Sequence, residues 1–488
     1  MFDPVDPQVV AEQEVYNLMF TPILNYDEGT TPVPHLAKEV PEPQEGGTQY
    51  ILELHEEAMF QHGEPVTAED VKYSLEAPLM YDTPASSGVD VFTEINVIDD
   101  HTVEVNLDEP YAPALHSFTD YQVVPKDLHE EDPEAFGKDV ERTVGSGPFE
   151  LVEFNEGESA TIERWDDYWG PTEPHLQRVN YQPIDEDTTR VTALETDEVD
   201  AFSDVPPQLW ETVQSGSNRQ VYDVAGLSVY YMHFNMNGGP TVDREVRHAV
   251  DYCFDQQAAI DNFVKPAGER VHAPIPQSLA RSWDLPYDEW ADMWYDRDID
   301  QATELFEEAG VPDDYQFTII VPPDDIRENI GVSVANGIQE AGWDAEVQRL
   351  DWGALIETRN SGDHEQWDMI LVGLLQGPDP DLYLWRLIHE QAPVMFWDGP
   401  GSDEMYRKIE EARTATDQDE RRDLYEEVIT TSIEERVEIQ LYSLSNSAGV
   451  HDRVQNFGIH PNGSLNPPLF RDRLELAGLN GRNVWVDR

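Results

Sequence analysis

The chain has 488 residues, enough for roughly two or three domains, and its 39% hydrophobic and 10% aromatic content excludes a disordered chain. It carries 100 Asp and Glu against 30 Lys and Arg, a formal net charge of −70, which excludes nucleic acid and anionic membrane surfaces as partners. Its single cysteine, Cys253, excludes an intrachain disulfide and a cysteine-based metal cluster.

The acidic residues are spread along the whole chain. At low ionic strength such charge repels itself and loosens the compact state, whereas at molar salt the Debye length falls to about 3 Å and screens the repulsion. The composition therefore indicates a halophilic protein with an acidic surface. No stretch reaches the roughly 18 apolar residues of a membrane span, and no signal-peptide pattern is present. The abrupt start at Met1 predicts that a targeting segment has been removed.

Short strands and helices alternate along the chain, which predicts an α/β fold. In the first half, the helix that follows Thr67 begins with a capping signal. The other expected elements are a helix over 9–20, a strand over 50–54, and two hairpins formed by 94–98 with 103–107 and by 149–154 with 160–164.

From residue 298 the alternation of strand and helix is cleaner. We expect strands over 316–321, 345–350, 369–374 and 437–442, and helices over 326–341, 352–360, 403–415 and 418–435. The strand over 369–374 runs directly into a Gly-Pro-Asp-Pro loop. Because α/β folds bind ligands beyond the carboxyl ends of their strands, this loop is expected to carry a binding residue.

Several separated segments then agree with one family. They are the stretch AMFQHGEPVTAEDV at 58–71, VGSGPF at 144–149, His233-Phe234-Asn235, and Asp379-Pro380-Asp381. In this order they resemble the extracytoplasmic solute-binding proteins, family 5, that feed peptide- and nickel-type ABC importers and include dipeptide- and oligopeptide-binding proteins.

The resemblance implies a two-lobed, type II periplasmic-binding-protein-like clamshell with no catalytic role and no cofactor. One lobe would comprise 1–45, 138–225 and 437–488, with a subdomain inserted at 46–137, and the second lobe would comprise 226–436. Ligand would be enclosed between the lobes by hinge closure, and the monomeric protein would then dock on a membrane permease.

In dipeptide-binding members, an Asp three residues before the Asp-Pro pair contacts the peptide's amino terminus, and the resemblance places Gln376 there. A neutral amide cannot form the charge-assisted contact that an ammonium favours. The Arg that those members carry on the strand at 316–321 is also missing, and Arg327 lies in the next helix. A one-residue loop shift would let Asp379 serve as the anchor; otherwise Asp379 is a helix cap with Pro380 at the first helical position.

For the other candidate ligand-binding residues, a purely structural role is the alternative. Trp352, Trp385 and Trp397 lie near this loop in sequence and either contact ligand or form lobe core. Asn235 is either a hydrogen-bond partner of the ligand or part of a hinge turn. Gly145-Ser146-Gly147 lacks the Lys and the helix start of a nucleotide loop, so a turn is expected. The histidines lack metal-ligand spacing, so no structural metal is expected.

The sequence therefore predicts an extracytoplasmic, cell-surface-anchored binding component of an ABC importer, of haloarchaeal type, that captures an oligopeptide. The alternative cargo is a neutral oligosaccharide held by Gln376, Asn235 and the tryptophans. A chemoreceptor-coupled sensor and a carboxylate-based hydrolase remain open as other classes of function.

Overall fold

The computed structural model describes residues 1–7, 10–27, 29–375, 377–391, 397–463, 469–471 and 482–487. The chain forms two compact units. Unit 1 comprises Met1–Val224 together with Asn446–Arg488, and unit 2 comprises Ala225–Ser445. The finer division expected from the sequence, with a subdomain inserted in the first lobe, stays a prediction.

In the part of unit 1 that precedes unit 2 in the chain, short strands alternate with helices. In chain order they are α1 (Val10–Tyr16), β1 (Thr21–Pro22), β2 (Leu24–Tyr26), β3 (Pro32–Pro34), β4 (Gln49–Glu53), α2 (Ala68–Met80), β5 (Phe92–Asp99), β6 (Thr102–Leu107), α3 (Ala114–Asp120), β7 (Gln122–Val123), α4 (Lys126–Glu131), β8 (Phe149–Asn155), β9 (Ser159–Arg164), β10 (Arg178–Tyr181), α5 (Asp187–Glu195), β11 (Ala201–Ser203), α6 (Trp210–Gln214) and β12 (Arg219–Ala225).

Two antiparallel sheets of unit 1 confirm the predicted hairpins. β4, β6 and β5 form one sheet in that order, and β10, β9 and β8 form another. The predicted cap of α2 is also confirmed, because Thr67 and Asp70 form a capping box. These elements could be predicted because the alternation of a strand and the cap of a helix both depend on residues that are close together in sequence.

The helix predicted over 9–20 ends at Tyr16, which corrects its carboxyl end. The backbone beyond it bonds to another segment: the carbonyl of Leu18 accepts from Phe149 N–H at 3.1 Å, and that of Met19 accepts from Gly147 N–H at 2.7 Å. This junction leaves no room for a side chain at Gly145, where a Cβ would lie 1.9 Å from the Met19 oxygen. The Gly-Ser-Gly segment is therefore a close backbone contact.

Unit 2 also contains both strands and helices, and strand and helix alternate most regularly over residues 316–387. Its elements are β13 (Ser228–Phe234), α7 (Arg244–Cys253), α8 (Gln256–Phe263), β14 (Gly268–Arg270), α9 (Gln277–Ser282), α10 (Tyr287–Ala291), α11 (Ile299–Glu308), β15 (Gln316–Val321), α12 (Asp325–Glu340), β16 (Asp344–Arg349), α13 (Trp352–Ser361), β17 (Met369–Leu375), α14 (Pro380–Leu387), α15 (Ser402–Thr414), α16 (Gln418–Glu434) and β18 (Glu438–His451).

The sheet of unit 2 has the strand order β18-β13-β17-β15-β16. β15 pairs in parallel with both β16 and β17, whereas β13 is antiparallel to β17 and β18. The continuous apolar run Met369–Val372 is buried along β17. Such a run fits a strand that is covered on both faces, as parallel strands are.

The last predicted strand, 437–442, is longer than expected, because β18 continues to His451. Beyond Ser445 it belongs to unit 1, where Ala448–Val450 pair with β11. The remaining described strands of unit 1 are β19 (Val454–Gln455), β20 (Phe470–Arg471), β21 (Arg482–Asn483) and β22 (Trp485–Val486). Over the described ranges, no helix is long and apolar enough to cross a bilayer.

Candidate functional site

The parallel strands β15, β16 and β17 of unit 2 present their carboxyl ends at one edge of the sheet. The helices that follow them, α12, α13 and α14, begin from this edge. Each starts with an aspartate cap whose side chain accepts a backbone N–H, namely Asp324, Asp351 and Asp379. α/β folds bind ligands outside the carboxyl ends of their strands, which makes this edge the candidate site.

Aromatic rings and one guanidinium cluster at this edge. Tyr230 and Tyr442, from neighbouring antiparallel strands, stack with ring centroids 4.4 Å apart and planes 7° apart. The guanidinium carbon of Arg327 lies 5.4 Å from the ring centroid of Tyr230 and 5.3 Å from that of Trp352, within cation–π range. Trp352 keeps 50% of its surface exposed, so its indole face is open to a ligand.

Arg327 brings a positive charge to this edge although it is only 8% exposed. Its Nε lies 3.3 Å from Asp324 Oδ1, which partly balances the charge. That Nε has no well-formed hydrogen bond to any residue in the described ranges. A guanidinium carries five N–H donors, so Arg327 has donors to offer to a ligand.

A pocket of about 120 Å³ lies between α13 and the sheet. Its lining residues are Tyr231, Trp352, Leu355, Ile356, Arg359, Ile370, Val372, Gly373 and Leu374. The four from α13 recur at helical spacing and therefore share one face of that helix. Burial raises the pKa of the Tyr231 phenol well above its ordinary value and lowers the pKa of the Arg359 guanidinium. The pocket is thus mainly apolar, with two polar groups, the Tyr231 phenol and the Arg359 guanidinium, among its lining side chains.

Asn235 lies at the opposite edge of the sheet, after the carboxyl end of β13. Its side-chain Nδ2 donates to the carbonyl of Trp367 at 3.0 Å, and its Oδ1 accepts from Asn237 N–H at 3.0 Å. The side chain is buried. These bonds fit the turn role, and the structure does not bring Asn235 together with Trp352.

Asp379 is the predicted cap of α14, with Pro380 at the first helical position. Its carboxylate also contacts Arg421 at 2.7 and 2.9 Å, so both oxygens are engaged inside unit 2. Asp381, two residues on, is fully buried and contacts Arg413 at 2.7 Å. Burial raises the pKa of Asp381 to about 7, and Arg413 opposes that shift. The Asp-Pro-Asp motif therefore connects α14 to α15 and α16.

Trp385 and Trp397 pack within unit 2. The Trp385 ring stacks on His389 at 3.9 Å, and the Arg413 guanidinium carbon lies 4.1 Å from its centroid. Trp397 is fully buried, with the guanidinium of Arg247 4.5 Å from its ring. The burial of the Trp397 ring fits the alternative of lobe core.

Gln376, the expected anchor position, lies outside the described residues. Among those that the structure describes, no group of three or more His, Cys, Asp or Glu is placed to hold a metal ion.

Sequence reasoning did not assign Arg327, Tyr230 or Tyr442 to the site. Arg327 stands three residues after a cap that follows a strand end, which is a signal that could have identified it. The two tyrosines meet through the register of β13 and β18, and no local pattern reveals that register.

The chain matches a family model described as "Bacterial extracellular solute-binding proteins, family 5 Middle" over residues 31–393. It is 26% identical to Protein XP55 of Streptomyces lividans over 408 residues, which covers 79% of this chain and 71% of that protein. It is 23% identical to the oligopeptide-binding protein AppA of Bacillus subtilis strain 168 over 481 residues, which covers 93% of this chain and 86% of AppA.

Solved structures share the fold. The structure of B. subtilis AppA in complex with a nonapeptide superposes with a TM-score of 0.79 at 20% identity, covering 100% of this chain and 96% of AppA. The binding protein AgaA of A. tumefaciens R10, in complex with agropinic acid, superposes with a TM-score of 0.80 at 21% identity, with the same coverage of 100% and 96%. The predicted α/β fold of the type II periplasmic binding proteins is confirmed.

Proposed function

The chain belongs to the bacterial extracellular solute-binding proteins of family 5, and we propose that it captures an oligopeptide-like solute and delivers it to the permease of an ABC importer. Members of this family are substrate-binding components of transporters, so the chain is not an enzyme and the hydrolase alternative is wrong.

The observation that carries the peptide proposal is the exposed Trp352 ring beside Arg327 at the strand-end edge of unit 2. A peptide offers apolar side chains, main-chain amides and, on acidic residues, side-chain carboxylates. The indole face supplies contact area to the first, and a guanidinium is a strong partner for the last.

Two further findings support a peptide. AppA, the relative that matches 93% of this chain, is named an oligopeptide-binding protein, and its structure holds a nonapeptide. The AgaA structure holds agropinic acid, which shows that a shared fold does not fix the ligand.

A neutral oligosaccharide is the second candidate, and the open face of Trp352 is the observation that favours it, since indole rings stack on sugars. Arg327 distinguishes the two candidates. A buried cation with unused donors is better matched by an anionic group than by a neutral sugar.

The experiment that tests the proposal is a thermal-shift screen at molar KCl, with di-, tri- and pentapeptides in one arm and neutral oligosaccharides in the other. A ligand at 100 times its Kd stabilises the folded state by about 2.7 kcal/mol. We expect peptides to raise the Tm. A screen in which only oligosaccharides raise it contradicts the peptide proposal.

We propose further that the protein is halophilic, of haloarchaeal type. The net charge of −70 supports this, as do exposed carboxylates such as Asp419, Glu420 and Glu427 on α16. Mutual repulsion of such charges is weak only where salt screens it.

The family is extracellular, and we propose that this member is held at the cell surface, acts as a monomer and has the importer's permease as its partner. Gel filtration at molar salt tests the monomer: a single peak near 55.6 kDa is expected, and a peak near twice that mass would contradict it.

A further inference from the structure

The pocket beneath α13 has the size of a site for one branched aliphatic group. Its volume is about 120 Å³, somewhat below the roughly 150 Å³ of an engineered apolar cavity that binds benzene. It therefore suits a group of about four or five carbon atoms. Leu355, Ile370 and Val372 supply buried apolar walls, and the half-exposed Ile356 lies toward solvent.

Arg359 is the one charged residue among those that line the pocket. Its Nε and Nη2 donate to the side-chain oxygen of the neighbouring Asn360, at 3.0 and 2.8 Å. It forms no ion pair with a carboxylate of the described residues, in a chain with 100 acidic residues against 30 basic ones. By contrast, Arg349, at the end of β16, contacts both Asp325 and Glu328.

The surroundings of Arg359 favour a counter-anion. Its guanidinium is partly buried, and that burial disfavours the charged form unless an anion lies close by. The phenol of Tyr231, which lines the same pocket, is a second hydrogen-bond donor. A ligand group that joins an aliphatic side chain to a carboxylate a few bonds away would fill the apolar pocket and pair with the Arg359 guanidinium.

We propose that the pocket receives the carboxy-terminal residue of a peptide ligand, with a branched aliphatic side chain inside the pocket and the free carboxylate on Arg359. A branched hydrocarbon side chain and a carboxylate occur together on one residue of an ordinary peptide only at its carboxyl end. The inference rests on the proposed peptide-binding function and adds to it the identity of one ligand residue.

The test measures Kd by calorimetry at molar KCl. The probes are alanine-based peptides of three, four and five residues that end in Leu or Gly, each as the free acid and as the amide. Burying a Leu side chain is expected to make the Leu-ending acids bind about tenfold or more tightly than the Gly-ending acids. The free acids are expected to bind more tightly than the amides.

Two variants separate the two contacts. Ile356→Trp fills the pocket and is expected to abolish the preference for Leu over Gly while the Gly-ending peptides still bind. Arg359→Gln is expected to abolish the preference for acid over amide while the preference for Leu remains. Val332→Trp is the matched control, because Val332 is an equally exposed apolar residue on α12, at 42% against 44% for Ile356, and does not line the pocket.

The outcomes distinguish the two levels of the proposal. A wild type that binds none of these peptides contradicts the proposed function, and the pocket assignment with it. Peptide binding with both preferences unchanged in both variants contradicts the pocket assignment alone. If Ile356→Trp does not fold, as judged by circular dichroism, Ile356→Ala replaces it: an enlarged pocket is expected to shift the preference from Leu toward Phe, and an unchanged preference contradicts the assignment.

Discussion

The guanidinium of Arg421 contacts both carboxylate oxygens of Asp379, at 2.7 and 2.9 Å, and both side chains are buried. Because Asp379 also caps α14, one carboxylate ties the loop after β17 to α16. This link fixes the start of α14 next to the strand-end edge on which the proposed site lies.

Removing Arg421 is expected to destabilise the protein strongly. Arg421→Ala leaves Asp379 as a buried carboxylate without its cation, and breaking such a pair costs about 3–5 kcal/mol. Chemical denaturation at molar salt measures the loss. Arg422→Ala is the matched control: its contacts with Asp419 and Asp423 are exposed, so its effect is expected to stay within about 0.5 kcal/mol. Equal losses in the two variants would contradict a structural role for the buried pair.

Substituting Gly145 is expected to destabilise unit 1. A Cβ at this position would lie 1.9 Å from the Met19 carbonyl oxygen, so the backbone junction has to open. Gly145→Ala is expected to cost about 1–3 kcal/mol, the usual range for overpacking, and a fall in Tm measures it.

Gly353→Ala is the control for that substitution. Gly353 lies in α13, and its nearest neighbour, a side-chain oxygen of Asp351, would be 3.4 Å from the new Cβ. Alanine is favoured over glycine in helices by up to about 1 kcal/mol, so this variant is expected to be neutral or stabilised. A Gly145→Ala variant as stable as Gly353→Ala would show that the junction is not tight.

His248 gives stability a specific dependence on pH. Its ring is buried between Tyr295 and the carbonyl of Glu434, and desolvation lowers its pKa to about 3. In the unfolded chain His248 binds a proton with an ordinary pKa near 6.5, whereas in the folded chain the ring stays neutral at that pH. This contribution to stability is therefore present above pH 6.5 and is lost as the pH falls below it.

The test compares the wild type with His248→Gln by chemical denaturation at pH 6.5 and pH 5. The free energy of unfolding of the wild type, relative to that of the variant, is expected to fall by about 2 kcal/mol over this range. A difference between the two proteins that stays constant with pH would contradict the buried neutral ring.

Dilution from molar to millimolar salt is expected to unfold the protein, because the repulsion within a chain of net charge −70 is then unscreened. Circular dichroism follows the loss of helix. At low salt, a shift to about pH 4.5 protonates part of the carboxylates and is expected to restore some of the helical signal. A fold that persists in dilute neutral buffer would contradict the halophilic proposal.

Much of unit 2 could be predicted because its signals are local. The strand Gln316–Val321 matches its predicted bounds, since an apolar run is closed by two prolines. The cap at Asp379 is also as predicted. β18, by contrast, extends to His451 because it gains pairing partners in unit 1, and neighbouring residues do not encode those partners.

The site was less predictable than the fold. Trp352 and Trp397 were both named because they lie near the same loop in sequence, but Trp352 is half-exposed, whereas Trp397 is buried against distant residues such as Arg247. The cluster of Arg327 with Tyr230 and Trp352 joins three separate elements. Only tertiary structure brings such residues together.

The most direct test of the central claim is a calorimetric titration at molar KCl of the wild type, Trp352→Ala and Trp485→Ala with a peptide that raises the wild-type Tm. Trp485 is the matched control, an exposed tryptophan of unit 1, at 41% against 50% for Trp352. Loss of the Trp352 ring is expected to weaken binding about tenfold or more, with unfolding unchanged, whereas Trp485→Ala binds as the wild type does. Equal affinity of all three proteins for the peptide would contradict a ligand site at the strand-end edge of unit 2.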